Sequence, residues 1–319
     1  MTLYNIAIIG TGQLGSRHLQ GLKTASSALT ITVVDSSDES LKIAKERYNA
    51  VDEIGEKTIQ YVKNIESLPA QLDLVIIATN SKSRALIVKR LLTHSSVKYL
   101  ILEKVLFTQL SDYEEIGVLL KKKNVQCWVN CPRRMFGSYS MIKNSIDYTY
   151  PIKMKYVGKD WGLCCNAMHF IDVFMYLTQD KTFTINTEGI EPNIYESKRP
   201  GYIEMYGTLR ITTESGDELI LSCLSSIDQP THVEIKNGLN YFALDETSGI
   251  LLKDGKKTKV DTPYQSQTTG ILADIILRTG YSPLTPYEKS AQYHKVYIQK
   301  FLERYNEITG EDSKELPIT

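Results

Sequence analysis

With 319 residues, 42% of them apolar and 23% charged, the chain is long enough for two domains with separate cores. Its 37 lysines and arginines balance 37 aspartates and glutamates, so no net field draws in nucleic acid or an anionic membrane surface. No apolar run reaches transmembrane length and no basic start leads into an apolar leader, so a cytoplasmic protein is expected.

From the N-terminus, short apolar runs alternate with helical patterns. Strands are expected near residues 6–9, 31–34, 74–78, 99–102 and 125–129, with a further short one within 59–65. Helical patterns fall between them at 15–26, 39–48, 83–92 and 111–122. Short apolar runs separated by helices indicate a parallel sheet covered on both faces. The expectation is an α/β chain with an N-terminal Rossmann domain, a doubly wound parallel sheet, over residues 1–128. An α+β domain over 129–319 would bind substrate and support oligomerisation.

After Arg134 the rhythm changes. Helices are expected at 136–146 and 166–177, around a strand at 152–157. From 182 to 253 strand patterns dominate, and Asn237-Gly238 between apolar-alternating runs reads as a hairpin turn. Runs of strands with few helices suggest an open, largely antiparallel sheet. Helices return at 268–278 and 286–305, and the polar stretch from Gly310 reads as a frayed end. The strand-rich stretch shows more apolar alternation than the available helices can cover, which predicts a homodimer or homotetramer joined through this sheet.

The first strand–turn–helix holds the most specific signal. Gly10, Thr11, Gly12, Gln13, Leu14 and Gly15 follow an apolar strand and open a helix, and Asp35 closes the next apolar run. Gly10 permits the turn, Gly12 lets backbone approach a pyrophosphate, and Gly15 lets helix and strand pack closely. The helix N-terminus offers N–H groups to phosphates, and Asp35 would accept from the adenosine ribose hydroxyls. Ser36 and Ser37 follow Asp35 with no adjacent arginine for a 2′-phosphate, so NAD is expected in preference to NADP.

Ligands of an open α/β sheet bind beyond the carboxyl ends of its strands. Three such ends carry Thr79-Asn80, Glu103-Lys104 and Asn130 through Arg133-Arg134. Lys104 is placed to exchange the proton that accompanies hydride transfer, or to stand solvated at a strand end. His169 and Asp172 share a helix face at i, i+3, where a carboxylate can orient an imidazole; a capping or core pair would look the same. Arg133 and Arg134 can bind a substrate hydroxyl, carboxylate or phosphate, or simply open a helix in solvent. Five cysteines and five histidines lack paired metal-ligand spacing, so reduced, mostly buried thiols and no metal site are expected.

Taken together, Gly10 to His18, Asp35, Thr79-Asn80, Glu103-Lys104, Asn130 to Arg134 and His169 to Asp172 resemble the glucose–fructose oxidoreductase/inositol dehydrogenase family, written Gfo/Idh/MocA. The resemblance runs over nearly the whole length. It implies that Lys104 and His169 converge on the substrate at the nicotinamide and that the open face of the second sheet supports subunit contacts. Two positions depart from the family pattern. Val105 replaces the proline after the lysine, which predicts a trans bond, since a non-proline cis bond costs about 2.5–4 kcal/mol. Cys165 replaces an aspartate four residues before the histidine, and Asn166 would substitute for it in part.

The expected activity is an NAD(H)-dependent oxidoreductase moving a hydride between nicotinamide and a carbinol or carbonyl carbon of a sugar, sugar derivative or polyol. Lys104 would exchange the proton, with His169, oriented by Asp172, as helper or alternative. A non-catalytic dinucleotide sensor and an imine or enamine reductase on the same fold are the competing readings.

Overall fold

The computed structural model describes residues 2–179, 182–226 and 231–319. Residues 227–230, inside the expected strand-rich stretch, lie outside the described residues. In chain order β1 (Leu3–Ile9), α1 (Gln13–Leu22), β2 (Ala28–Val34), α2 (Asp38–Asn49) and β3 (Lys57–Val62) come first. Then follow β4 (Gln71–Ile77), α3 (Ser81–His94), β5 (Ser96–Glu103), α4 (Leu110–Lys122) and β6 (Gln126–Asn130). A 3₁₀ turn (Pro132–Met135) precedes α5 (Gly137–Lys143), β7 (Ile152–Lys159) and α6 (Leu163–Thr178). The strand-rich part holds β8 (Phe183–Asn186), β9 (Tyr195–Glu196), β10 (Ile203–Glu204), β11 (Gly207–Thr213) and β12 (Glu218–Leu224). It continues with β13 (Val233–Asn237), β14 (Asn240–Asp245), β15 (Ile250–Lys253) and β16 (Lys256–Lys259). The chain ends with α7 (Gln265–Thr279), β17 (Thr285–Pro286) and α8 (Tyr287–Thr309).

The chain divides into two compact units. The first comprises residues 1–107, 111–130 and 263–290, and the second 108–110, 131–262 and 291–319. Among the described residues the first unit holds a seven-stranded sheet in the order β17-β6-β5-β4-β1-β2-β3. β1 to β6 run parallel, and β17 pairs antiparallel with β6. The central strands are apolar on both faces because helices cover both: Ile6, Ile8, Leu74, Ile76 and Leu100 have no exposed surface. Ser37 caps α2 by accepting from Ser40 N at 3.2 Å, and Asp38 and Glu39 in its first turn complement the helix dipole.

Helix α7 follows the strand-rich part in sequence yet packs on α1. Glycines permit the crossing: a Cβ on Gly270 would stand 2.5 Å from Gly21 O, and one on Gly21 would stand 2.8 Å from Thr269 Cβ. Asp274 of α7 also accepts from the backbone N–H groups of Ser26 and Ser27 at 2.7 and 2.9 Å, closing the loop after α1.

The second unit holds an eight-stranded sheet in the order β16-β15-β14-β13-β7-β12-β11-β8 among the described residues. Its pairs are antiparallel except β7 with β12. One face buries Met154, Leu209, Leu221, Ile235 and Phe242. Phe170 of α6 stacks on Tyr156 of β7 at 4.2 Å, and Tyr293 of α8 meets Phe183 of β8 at 5.9 Å. The apolar alternation is therefore covered within the unit, contrary to the expectation of an apolar face left bare. The other face carries Lys153, Lys155, Arg210, Glu218, Glu234 and Lys236, with Ile220 among them.

Two local expectations are corrected. The β13–β14 turn is Gly238-Leu239, one residue later than expected, with Gly238 at φ +58°. Asn237 stays in the strand because its buried amide is fully used: Oδ1 accepts from Asp147 N at 2.7 Å, and Nδ2 donates to Asp147 O and Tyr150 O. The chain end is not frayed either. Leu316 and Ile318 have no exposed surface, Leu316 N donates to Thr108 O at 3.0 Å, and Ile203 N donates to Pro317 O at 2.8 Å. Two apolar side chains are too few to give a periodic signal, but enough to hold an extended segment against a core.

Candidate active site

The turn after β1 has the geometry the glycine spacing requires. Gly10 sits at φ +87°, where a Cβ would stand 2.7 Å from Thr79 Cγ2. A Cβ on Gly15 would stand 1.8 Å from Gly10 O, which forces glycine at this helix–strand contact. Gly12 is different: nothing lies within 4 Å of where its Cβ would be, and the residue is exposed. Helix α1 has no side-chain cap at Gly12 and no acidic residue in its first turn. Open space beside uncapped N–H groups fits the diphosphate of a dinucleotide.

Asp35 braces this turn. Its Oδ2 accepts from Thr11 N at 2.6 Å and from Thr11 Oγ1 at 3.0 Å, and its Oδ1 accepts from Ser37 N at 2.9 Å. Arg47, which no motif singles out, donates to Gln13 Oε1 at 2.7 Å, Gln13 O at 3.1 Å and Ser16 Oγ at 2.5 Å. Leu14 is half-buried behind them. Asn80, at the end of β4, caps α3 by accepting from Ser83 N at 3.0 Å. Thr79 beside it keeps a buried hydroxyl without a partner.

Lys104 is half-buried at the end of β5. The expectation of a trans bond after it does not hold, for the Lys104–Val105 peptide is cis. That expectation weighed only the intrinsic preference of the bond. Arg84 of α3, almost wholly buried, donates to the carbonyls of Thr79, Val105 and Leu106, a tertiary clamp with no local sequence signal.

The residue before Lys104 belongs to a closed ring of five side chains. His18 Nε2 lies 2.7 Å from Glu103 Oε1, which also takes Asn130 Nδ2 at 2.5 Å. The same amide donates to Gln265 Oε1 at 2.8 Å, Gln265 Nε2 donates to Thr269 Oγ1 at 2.9 Å, and Thr269 Oγ1 lies 3.0 Å from His18 Nδ1. Glu103 and Asn130 are register partners on β5 and β6.

In the second unit, α6 is buried nearly all round, and Cys165, Asn166 and His169 share its half-exposed stripe. Asn166 donates to Trp161 O at 2.7 Å, so part of its amide is committed to the loop before the helix. Glu204 of β10, another residue outside the expected set, accepts from Cys164 N at 2.9 Å and Cys165 N at 3.3 Å and caps α6. Burial, reinforced by Glu204, pushes the Cys164 thiol well above the ordinary range, so it is no nucleophile.

Both arginines after β6 are held by carboxylates. Arg134 forks onto Asp172, Nε to Oδ2 at 2.8 Å and Nη2 to Oδ1 at 3.1 Å, with side chains 9% and 1% exposed. Arg133 grips Glu246 through Nε and Nη2 at 2.8–3.1 Å and stacks 4.4 Å over the Phe170 ring. Burial opposes the Arg133 charge, but Glu246 outweighs it and keeps the guanidinium more firmly protonated than usual. Burial and then Glu246 push the Tyr139 phenol far upward, so it stays protonated and donates to Glu246 at 2.8 Å. With their charges matched, the arginines form a hydrogen-bonded wall rather than bare cations awaiting a phosphate.

Residues 4–131 match the family described as "Oxidoreductase family, NAD-binding Rossmann fold", Gfo/Idh/MocA. No curated protein matches in sequence. The solved structure of UDP-N-acetylglucosamine 3-dehydrogenase from Acidithiobacillus ferrooxidans is 11% identical, covers 94% of this chain and 97% of its own, and has a TM-score of 0.72. Scyllo-inositol dehydrogenase from Lactobacillus casei, solved with NAD(H) and scyllo-inositol, is 15% identical over 96% of this chain and 98% of its own, at TM-score 0.67. Biliverdin reductase from Synechocystis, solved with biliverdin and NADP+, is 14% identical over 93% and 97%, at TM-score 0.68. At these identities the likeness is one of fold.

The Arg134–Asp172 fork generates a stability prediction. Asp172→Ala removes the carboxylate from a buried guanidinium and should lower the unfolding free energy by about 3–5 kcal/mol. Urea unfolding followed by circular dichroism measures it, and a loss under about 1 kcal/mol would show that the fork does not hold α6.

Proposed function

We propose that this chain, whose residues 4–131 match the Gfo/Idh/MocA oxidoreductase family with its NAD-binding Rossmann fold, moves a hydride between nicotinamide and a carbinol or carbonyl carbon of a sugar, sugar derivative or polyol. The observation that carries the reading is the exposed, uncapped glycine turn at Gly12 in the same unit as Lys104. The choice of substrate class rests on the polar half-exposed stripe of α6, and on sugar-nucleotide and inositol dehydrogenases among proteins of this fold.

The dinucleotide, when bound, supplies the hydride acceptor or donor at nicotinamide C4. Gly10, Thr11, Gly12, Gln13, Leu14 and Gly15 hold its diphosphate, Asp35 its adenosine ribose, and Thr79, Asn80, Glu103 and Lys104 flank the strand ends beyond. Lys104 exchanges the substrate hydroxyl proton. His169 assists by polarising the same hydroxyl, and Asn166 binds a neighbouring one. Asp172, clamped by Arg134, acts at one remove by fixing the helix that carries His169. Arg133 and Arg134 contribute a neutralised wall to the substrate side.

A protein of this kind works in the cytoplasm, and none of the described helices is long and apolar enough to cross a membrane. Its partner is a second copy of itself, docked on the uncovered sheet face. There Lys155 stands between Glu234 and Ile220, so each copy offers both signs of charge and an apolar residue to its mate. Sedimentation at micromolar concentration should give a dimer or tetramer; a monomer overturns this.

Lys104→Met should slow turnover by about 10²–10⁴-fold with little change in NADH affinity, and His169→Asn should slow it less. Single-turnover absorbance with candidate sugars measures both, and near-wild-type hydride transfer in the two variants would remove these residues from the mechanism. NADH should bind at least about tenfold tighter than NADPH. The Asp35 carboxylate accepts from a ribose hydroxyl but repels a 2′-phosphate, a difference of about 1–3 kcal/mol. Fluorescence titration decides it, equal affinities being the contrary result.

A further inference from the structure

Arg47 stands in the last turn of α2, where a basic side chain ordinarily answers the free carbonyls of its own helix. It crosses instead to the start of α1. Its Nη2 donates to Gln13 Oε1 at 2.7 Å, and its Nη1 to Gln13 O at 3.1 Å and Ser16 Oγ at 2.5 Å. Ser16, with no exposed surface, in turn donates to Gly12 O at 2.8 Å. One guanidinium thus holds Gly12, Gln13 and Ser16 together.

The chemistry of that group has two consequences. A guanidinium has N–H donors and no acceptor, so it selects the oxygen of the Gln13 amide and never its nitrogen. Among the described residues nothing takes the Gln13 Nε2 hydrogens, and Gln13 is exposed beside the exposed, uncapped Gly12. The second consequence is charge. Arg90, Arg133, Arg134, Arg210, Arg278 and Arg304 each pair with a carboxylate. The partners of Arg47 are all neutral, and α1 has no acidic residue in its first turn. A half-buried cation left uncancelled keeps its field on the groups around it.

We propose that Arg47 is a positioning residue for the diphosphate of the dinucleotide: by taking the Gln13 amide oxygen it fixes Gln13 as an N–H donor beside Gly12, and its own charge raises the potential at the start of α1. The inference rests on the NAD-dependent reading above. Arg47 acts through Gln13 and through its field, with no contact to the ligand needed. Without it the Gln13 amide would present either end to the phosphates, and its oxygen would repel them. Helix α2 thereby takes part in cofactor binding from its C-terminal turn.

Isothermal titration of the full chain with ADP and NADH, both of which carry the diphosphate, tests this. Arg47→Met should weaken both probes by at least about fivefold, and the loss should shrink as salt is raised, because added ions screen what the charge contributes. Arg47→Lys, which keeps the charge and a donor for the Gln13 oxygen, should bind both probes within about threefold of the wild type. Gln13→Glu keeps the shape of the side chain but pairs with Arg47, cancels its charge and replaces the N–H₂ with a second carboxylate oxygen. It should weaken both probes by at least about tenfold. Should Arg47→Met fail to fold, Gln13→Glu still decides the question, since Gln13 is exposed and the exchange keeps the bond to Arg47. Unchanged affinity in Arg47→Met or Gln13→Glu overturns the positioning role. So does a loss in Arg47→Met that salt does not alter, or one as large in Arg47→Lys, the mark of a merely structural arginine. A wild-type chain that binds neither ADP nor NADH would instead overturn the NAD-dependent reading, and the inference with it.

Discussion

The first unit turns on a rule about buried polar groups: once out of water, each must be answered by another. His18, Glu103, Asn130, Gln265 and Thr269 answer one another in a circuit that links α1, β5, β6 and α7. Apolar contact alone would let α7 slide along α1, because dispersion is not directional. The circuit fixes one register, and the glycine crossing at Gly21 and Gly270 makes the helices close enough to reach it. The strand ends that present Lys104 are set by the same bonds.

The second unit solves a related problem with charge. Its helix α6 is buried on almost every side, yet has to present a polar stripe. Three carboxylates hold it or its neighbours: Glu204 caps its N-terminus, Asp172 takes Arg134, and Glu246 takes Arg133 against the Phe170 ring. Each pair is forked or shared with backbone N–H groups, the geometry in which buried ions recover most of their lost hydration. These anchors, tertiary rather than local, hold the helix that carries Cys165, Asn166 and His169.

Much of this was legible in the residues. The alternation of apolar runs with helical patterns located the strands of the first sheet, because a parallel sheet buried on both faces must be written as short apolar blocks. Gly10 and Gly15 announced their roles, since each is required by local geometry, while Gly12 leaves open space at the start of α1. What escaped reading is what depends on residues far apart. Arg84 reaches across to Val105 and Leu106, and the peptide there is cis although the dipeptide alone argues for trans. Arg133 and Arg134 read either as substrate binders or as a solvated helix start because Glu246 lies more than a hundred positions away and Asp172 was read as the partner of His169. Leu316 and Ile318 carried no periodicity, so their burial against residues near 108 and 203 had no local sign.

The path of the backbone has a further meaning for how such a protein can be cut or inherited. The first unit is not one stretch of gene: its sheet edge β17 and its helix α7 are encoded after the whole of the strand-rich part. A fragment ending at residue 130 would carry the glycine turn but would lack Gln265 and Thr269, bare the edge of β6 and leave Gly21 facing water. Recombination that exchanged only the N-terminal segment between relatives would have to find a matching α7 already waiting downstream. The nucleotide-binding unit therefore travels with the rest of the chain or not at all.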